Sequence, residues 1–229
     1  MQYLGGKYRS AKEIIAVVLA DREPGQWYVE PFLGGCNVLP HVTGPRLACE
    51  IRPELVELYL AVANGWKPPE SVSEEEYQAI KASPHRFGHR LVGFVAIACS
   101  FGGKWWGGYA RGDSASYAAS GSRSLLKIAS KIAGAYIECR SYDELRIPDR
   151  SIIYCDPPYA GTTGYSSRFD SPRFWAWAES KAMAGHRVFV SEYAAPDGWT
   201  CVWEKQSTNS IRKKAGAQRP VERLFTLSR

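Results

Sequence analysis

Four consecutive residues, Asp156-Pro157-Pro158-Tyr159, follow the apolar run SIIYC (151–155). The run reads as a buried strand, so the four residues sit at its C-terminal end. Two prolines fix their φ angles and offer carbonyls without competing N–H groups. In an open α/β sheet this is the edge at which ligands bind. A carboxylate and a carbonyl held there suit a planar exocyclic amine, whose lone pair is delocalised into its ring and whose nucleophilicity is poor. Asp156 and the Pro157 carbonyl can accept hydrogen bonds from its two N–H groups and favour a more tetrahedral nitrogen. Tyr159 can stack on the ring. The structural alternative is a proline turn ending a strand, with Asp156 as a cap.

A second group, Glu30-Pro31-Phe32-Leu33-Gly34-Gly35-Cys36-Asn37, follows the strand-like WYVEPF (27–32). Its adjacent glycines let the backbone turn tightly and approach a ligand, although an ordinary turn would look the same. The next strand, RLACEI (46–51), carries Glu50, about 15–20 residues beyond the glycines, where an acid can accept hydrogen bonds from two ribose hydroxyls. No GxGxxG is present, which argues against NAD or FAD. A third group, Tyr3-Leu4-Gly5-Gly6-Lys7, lacks the preceding strand and the spacing of a Walker lysine. By itself it reads as a flexible tail.

A fourth stretch, GGKWWGGYAR (102–111), interleaves Lys104, Trp105, Trp106, Tyr109 and Arg111 with glycines. Cations and aromatics in one loop or hairpin suit contact with nucleic acid, the cations on phosphates or base edges and the aromatics as wedges. The competing reading places the tryptophans in the core. Arg123, Lys127 and Lys131 follow, and Arg212 and Lys213 lie in a second basic stretch. The net charge of +6 suits a polyanionic partner without establishing one. The six cysteines form no CxxC pair and mostly sit in apolar runs, so they read as buried thiols and not as disulfides or a zinc site. The absence of an apolar run of about 18 residues or a signal-peptide core predicts a soluble protein that stays in the cytoplasm or nucleoid of its host.

The elements that must position these groups begin with an amphipathic helix over 9–20 and continue with the strands 27–32 and 46–51 and a helix over 54–63. A capped helix over 73–82 and a basic helix over 122–135 follow, while 90–101 is apolar enough for either helix or strand. Strands return at 135–139, 151–155, 187–193, 200–205 and 221–227, with a helix over 172–185. The order predicts one α/β sheet built from both ends of the chain: a catalytic unit of 1–64 and 135–229 and a mostly helical insertion of 65–134.

Together, in this order, the groups resemble the Dam-like, D12 class of DNA adenine-N6 methyltransferases. YLGGK matches that family's W-x-G-G-K opening with Tyr3 replacing tryptophan; EPFLGG, Glu50 and DPPY match its later motifs, and VFVSEY and VERLF occupy places of its sheet strands. The resemblance implies a Rossmann-like methyltransferase sheet that binds S-adenosylmethionine and needs no metal. It implies Tyr3, Gly5 and Lys7 near the methyl donor and target base, and Phe32, Gly34 and Gly35 around the methionine part. Ser141 and Tyr142 fall at the cofactor's adenine; Gly6, Cys36 and Asn37 complete the cofactor segments. The insertion would read double-stranded DNA, and the protein would be a monomer or weak dimer. N4 of cytosine, RNA or protein as acceptor, and a catalytically silent DNA-binding relative, are the rival readings.

Overall fold

The computed structural model describes residues 1–112, 116–159, 169–206 and 221–227. Seven strands form one sheet: β1 (Tyr28–Glu30), β2 (Arg46–Glu50), β3 (Tyr136–Cys139), β4 (Ile152–Cys155), β5 (Arg187–Glu192), β6 (Trp199–Gln206) and β7 (Val221–Leu227). Their order is β3-β2-β1-β4-β5-β7-β6. The first five are parallel, and β7 runs antiparallel to both β5 and β6. The order reverses between β1 and β4, where an open α/β sheet forms a crevice at its carboxyl edge. This is a Rossmann-like α/β sheet with an antiparallel edge.

Burial follows from this placement. The central strands β1, β2 and β4 are buried at every residue, as parallel strands covered on both faces must be. Their side chains alternate between two cores. Tyr28, Ala48, Ile152 and Tyr154, with Phe189 of β5, join the larger one, while Val29, Leu47, Cys49, Ile153 and Cys155 join the smaller. Helices α1 (Ala11–Val18), α2 (Pro53–Ala63), α3 (Glu74–Ala82), α4 (His89–Ala98) and α5 (Tyr117–Ile132) contribute to the larger core; α6 (Ser171–Met183) covers the other face. Among the described residues no helix is long and apolar enough to cross a membrane.

Local chemistry fixes the helix starts. Ser73 and Glu76 form the expected reciprocal capping box on α3. Pro53 opens α2, and the Asp170 side chain caps α6. Helix α5 starts at Tyr117, before the expected 122, because Ser116 caps it by accepting from the Ala119 N–H. The ambiguous run 90–101 resolves as α4, buried at every residue from Val92 to Ala98. Cys36, Cys49, Cys99 and Cys155 are buried thiols, while Cys139 and Cys201 are exposed.

Close packing of α4 on α2 depends on Gly93: a Cβ there would lie 2.4 Å from the Glu54 carbonyl oxygen. Gly93→Ala should therefore destabilise the fold by about 1–3 kcal/mol, the usual cost of overpacking. Gly88→Ala, with nothing within 4 Å of its added carbon, should stay within about 0.5 kcal/mol. Denaturant midpoints measure both; equal shifts would refute the packing account.

Candidate active site

The carboxyl ends of β1, β2 and β4 open into a cavity of about 400 Å³. Its size suits a small-molecule or cofactor site. The sequence motifs converge there although they are far apart in the chain. Tyr3, Gly5, Gly6, Lys7, Phe32, Gly34, Gly35, Asn37, Glu50, Ser141, Tyr142, Asp156 and Pro158 all line it.

The N-terminal segment is anchored, contrary to the tail reading. Met1 is buried, and the Leu4 N–H donates to the Gly103 carbonyl at 3.0 Å. Tyr3 lies against the glycine loop: a Cβ on Gly35 would sit 2.6 Å from Tyr3 Cβ, and Gly34 adopts φ +45 beneath the Tyr3 ring. The paired glycines are thus required by the close approach of two protein segments.

Glu50, at the end of β2, accepts from the Gly34 and Arg52 N–H groups at 3.0 and 3.1 Å. These bonds fix the carboxylate at the cavity wall and leave lone pairs for two hydroxyls. Burial pushes its pKa up, and the backbone donors oppose that shift. Phe32 stacks on Tyr142 with ring centroids 5.1 Å apart, giving the cavity an aromatic wall. The cavity also meets Ile51, Arg52 and Phe169.

Lys7 is 5% exposed, and its Nζ contacts Asp156 Oδ1 at 2.6 Å and Glu222 Oε1 at 3.1 Å. Burial alone would strip its proton; Asp156 foremost, with Tyr154 and then Glu222 behind it, outweighs burial and raises the ammonium's pKa. For Asp156, burial raises the pKa and Lys7 opposes the rise. The pair is therefore ionic, and Asp156 keeps 20% of its side chain exposed, so the carboxylate remains reachable from the cavity.

Not every expected residue lines the cavity. Cys36 is buried in the core at φ 50. Tyr159 packs edge-on against Tyr193, with the Lys7 ammonium 4.7 Å from its ring centroid. The 102–111 stretch divides. Phe101 and Gly108, then Cys99 and Ala110, pair across its base as a hairpin. Lys104 and Trp105 line the same cavity, and the Arg52 guanidinium lies 4.4 Å from the centre of Trp105. Trp106 and Tyr109 pack edge-on against the buried Tyr77. Arg111 faces outward, paired with Glu74. Arg212 and Lys213 lie outside the described residues. Among those described, no group of three or more His, Cys, Asp or Glu could hold a metal ion.

Glu30, which heads the glycine-loop group but is given no role by the sequence, ends β1, lines the cavity and is 2% exposed. Burial lifts its pKa to about 8 against an opposing hydrogen bond from the Tyr28 hydroxyl; nearby Asp156 adds to the rise. With the folded value raised, the folded state holds a proton that the unfolded chain releases above about pH 4.5. That stability is present at low pH and lost as pH rises toward 8. Wild-type stability should fall across this window by up to about 1.4 kcal/mol per pH unit. Glu30→Gln, which mimics the neutral acid, should show a shallower fall in urea melts; identical slopes would place the proton elsewhere.

Residues 3–87 match the model of the family described as D12 class N6 adenine-specific DNA methyltransferase. The YLGGK, EPFLGG and Glu50 groups fall inside that span, and the strand-end DPPY lies beyond it. No curated protein matches the chain. The sequence is 9% identical to an rRNA methylase from Streptococcus thermophilus of known crystal structure, with a TM-score of 0.40 over 96% of this chain and 97% of that one. By this match the N-terminal part of the chain, residues 3–87, is similar to the D12 class of N6 adenine-specific DNA methyltransferases.

Proposed function

We propose that the protein transfers a methyl group from S-adenosylmethionine to N6 of an adenine flipped out of double-stranded DNA. The observation that carries this reading is the placement of Asp156 and Glu50 at the carboxyl ends of the two strands that flank β1, on one cavity, in a chain whose residues 3–87 match this family's model. Glu50 would hold the ribose hydroxyls. The glycine loop would wrap the methionine part, and Phe32, Ser141 and Tyr142 would surround the adenine. When bound, the cofactor's sulfonium supplies an electrophilic methyl group, and no metal is needed to activate it.

Asp156 and the Pro157 carbonyl would accept hydrogen bonds from the adenine amine and aim its lone pair at the methyl carbon. As the carbon–nitrogen bond forms, the carbon–sulfur bond breaks, and the nitrogen then loses a proton toward the Asp156 carboxylate or water. Base flipping follows from access, since N6 inside the stack cannot be reached in line. Lys104 and Trp105, at the cavity and on the hairpin, are proposed to meet the DNA beside the flipped base. Residues 65–134, with the exposed Arg123, Lys127 and Lys131 of α5, are the proposed recognition element. Arg111 can join it cheaply, because an exposed ion pair such as that with Glu74 contributes only about 0–1 kcal/mol.

Methylation-sensitive sequencing of DNA from cells expressing the protein should reveal N6-methyladenine in one sequence context. N4-methylcytosine instead, or methylated RNA alone, would replace this reading. Asp156→Ala should abolish transfer while cofactor and DNA still bind; near-normal turnover would refute the mechanism. Glu50→Ala should weaken S-adenosylmethionine binding roughly tenfold to a hundredfold, as expected for hydrogen bonds to a charged acceptor, with DNA affinity little changed. Calorimetry reporting unchanged cofactor affinity would remove Glu50 from the site.

A further inference from the structure

Glu222 enters the active site from the far end of the chain. It lies on β7, next to the antiparallel edge, and its Oε1 is 3.1 Å from Lys7 Nζ. Its other oxygen, Oε2, lies 3.4 Å from the Ser10 hydroxyl. Ser10 stands at the N-cap of α1 yet makes no side-chain cap there; its hydroxyl is directed to Glu222 and the Lys7 carbonyl. The Lys7 ammonium meets Asp156, Glu222 and the Gly5 carbonyl, which matches its three donors.

We propose that Glu222 is a positioning residue for methyl transfer: it fixes the Lys7 ammonium between two carboxylates and so sets the orientation and charge that Asp156 presents to the target amine. This rests on the proposed function. Without Glu222, Lys7 would belong to Asp156 alone and neutralise the acceptor more completely. With it, the cluster of one ammonium and two carboxylates keeps a net negative charge, which suits both an amine donor and a sulfonium nearby. The other titratable groups coupled to Asp156 are Glu30 at the end of β1, Tyr154 and Cys155 from its own strand, Tyr159, and Tyr193 just beyond β5.

The test compares steady-state methylation of DNA by wild type, Glu222→Gln, Glu222→Asp and Ser10→Ala, with melting temperatures alongside. Glu222→Gln should lower kcat about tenfold or more while both KM values stay within about twofold, as when an interaction with a charged group is lost only at the reacting centre. Glu222→Asp should recover part of the loss, and Ser10→Ala should lower kcat mildly, by about twofold to fivefold. Glu222 raises the pKa of Asp156, so removing its charge should move the acid limb of the kcat–pH profile of Glu222→Gln to lower pH. A merely structural residue would leave that limb in place. Wild-type methylation with Glu222→Gln turnover within twofold, or with an unmoved acid limb, overturns this inference alone. An inactive wild type overturns it together with the proposed function. Should Glu222→Gln fail to fold, Ser10→Ala and Glu222→Asp decide, and unchanged kcat in both overturns the proposal.

Discussion

A lysine ammonium buried between two carboxylates holds the candidate active site together. Isolated in a protein interior, the Lys7 charge would be costly enough to expel its own proton. Asp156 at the end of β4 and Glu222 on β7 make that charge tolerable, and in doing so they bind three remote stretches of chain into one unit. Removing one partner of such a buried pair typically costs about 3–5 kcal/mol, because the remaining charge is left uncompensated. The N-terminal segment therefore cannot behave as a tail. Its lysine commits it to the sheet's carboxyl edge, and Tyr3 then presses against the glycine loop.

The sheet supplies the setting for that charge. Reversal of strand order between β1 and β4 opens the crevice, and each neighbouring strand ends in an acid: Glu30, Glu50 and Asp156. Their surroundings separate them. Glu30 sits deepest, against Tyr28, and is held toward its neutral form. Glu50 is fixed by two backbone donors. Asp156 is kept ionic by Lys7. Three carboxyl groups on adjacent strands thus acquire three different surroundings, and environment of this kind is what separates acid from base roles in active sites generally.

The hairpin at 99–110 joins this cavity to the helical region. Trp106 and Tyr109 fasten it to Tyr77 of α3, and Tyr109 also donates to the Val72 carbonyl at 2.8 Å. Lys104 and Trp105 are left on the cavity side, with Arg52 across the Trp105 ring. Helices α3, α4 and α5 share the larger core with α1 and α2, so the hairpin is mounted on a rigid support. Under the proposed function such a mount would hold an extruded base against the cofactor pocket, where small misplacements of reacting groups are expensive.

By itself the sequence determined the local and the strongly patterned. Apolar runs ending in acids marked β1, β2 and β4, the Ser73–Glu76 spacing marked the start of α3, and YLGGK, EPFLGG, Glu50 and the Asp156 and Pro158 of DPPY named residues that the cavity gathers. These are properties of neighbouring residues, legible because a strand's burial and a helix's cap depend on spacing within one element. Only the tertiary structure decided the rest. It made α4 a helix, since an apolar run carries no periodicity to separate helix from strand. It sorted the aromatics of 102–111 between core and cavity, a choice made by Tyr77 and Arg52 from other elements. It brought Glu222 to Lys7, 215 positions away along the chain: nothing in VERLF distinguishes that glutamate from any solvated one. Charge pairing across a sheet is set by strand order, and strand order is a property of the whole chain.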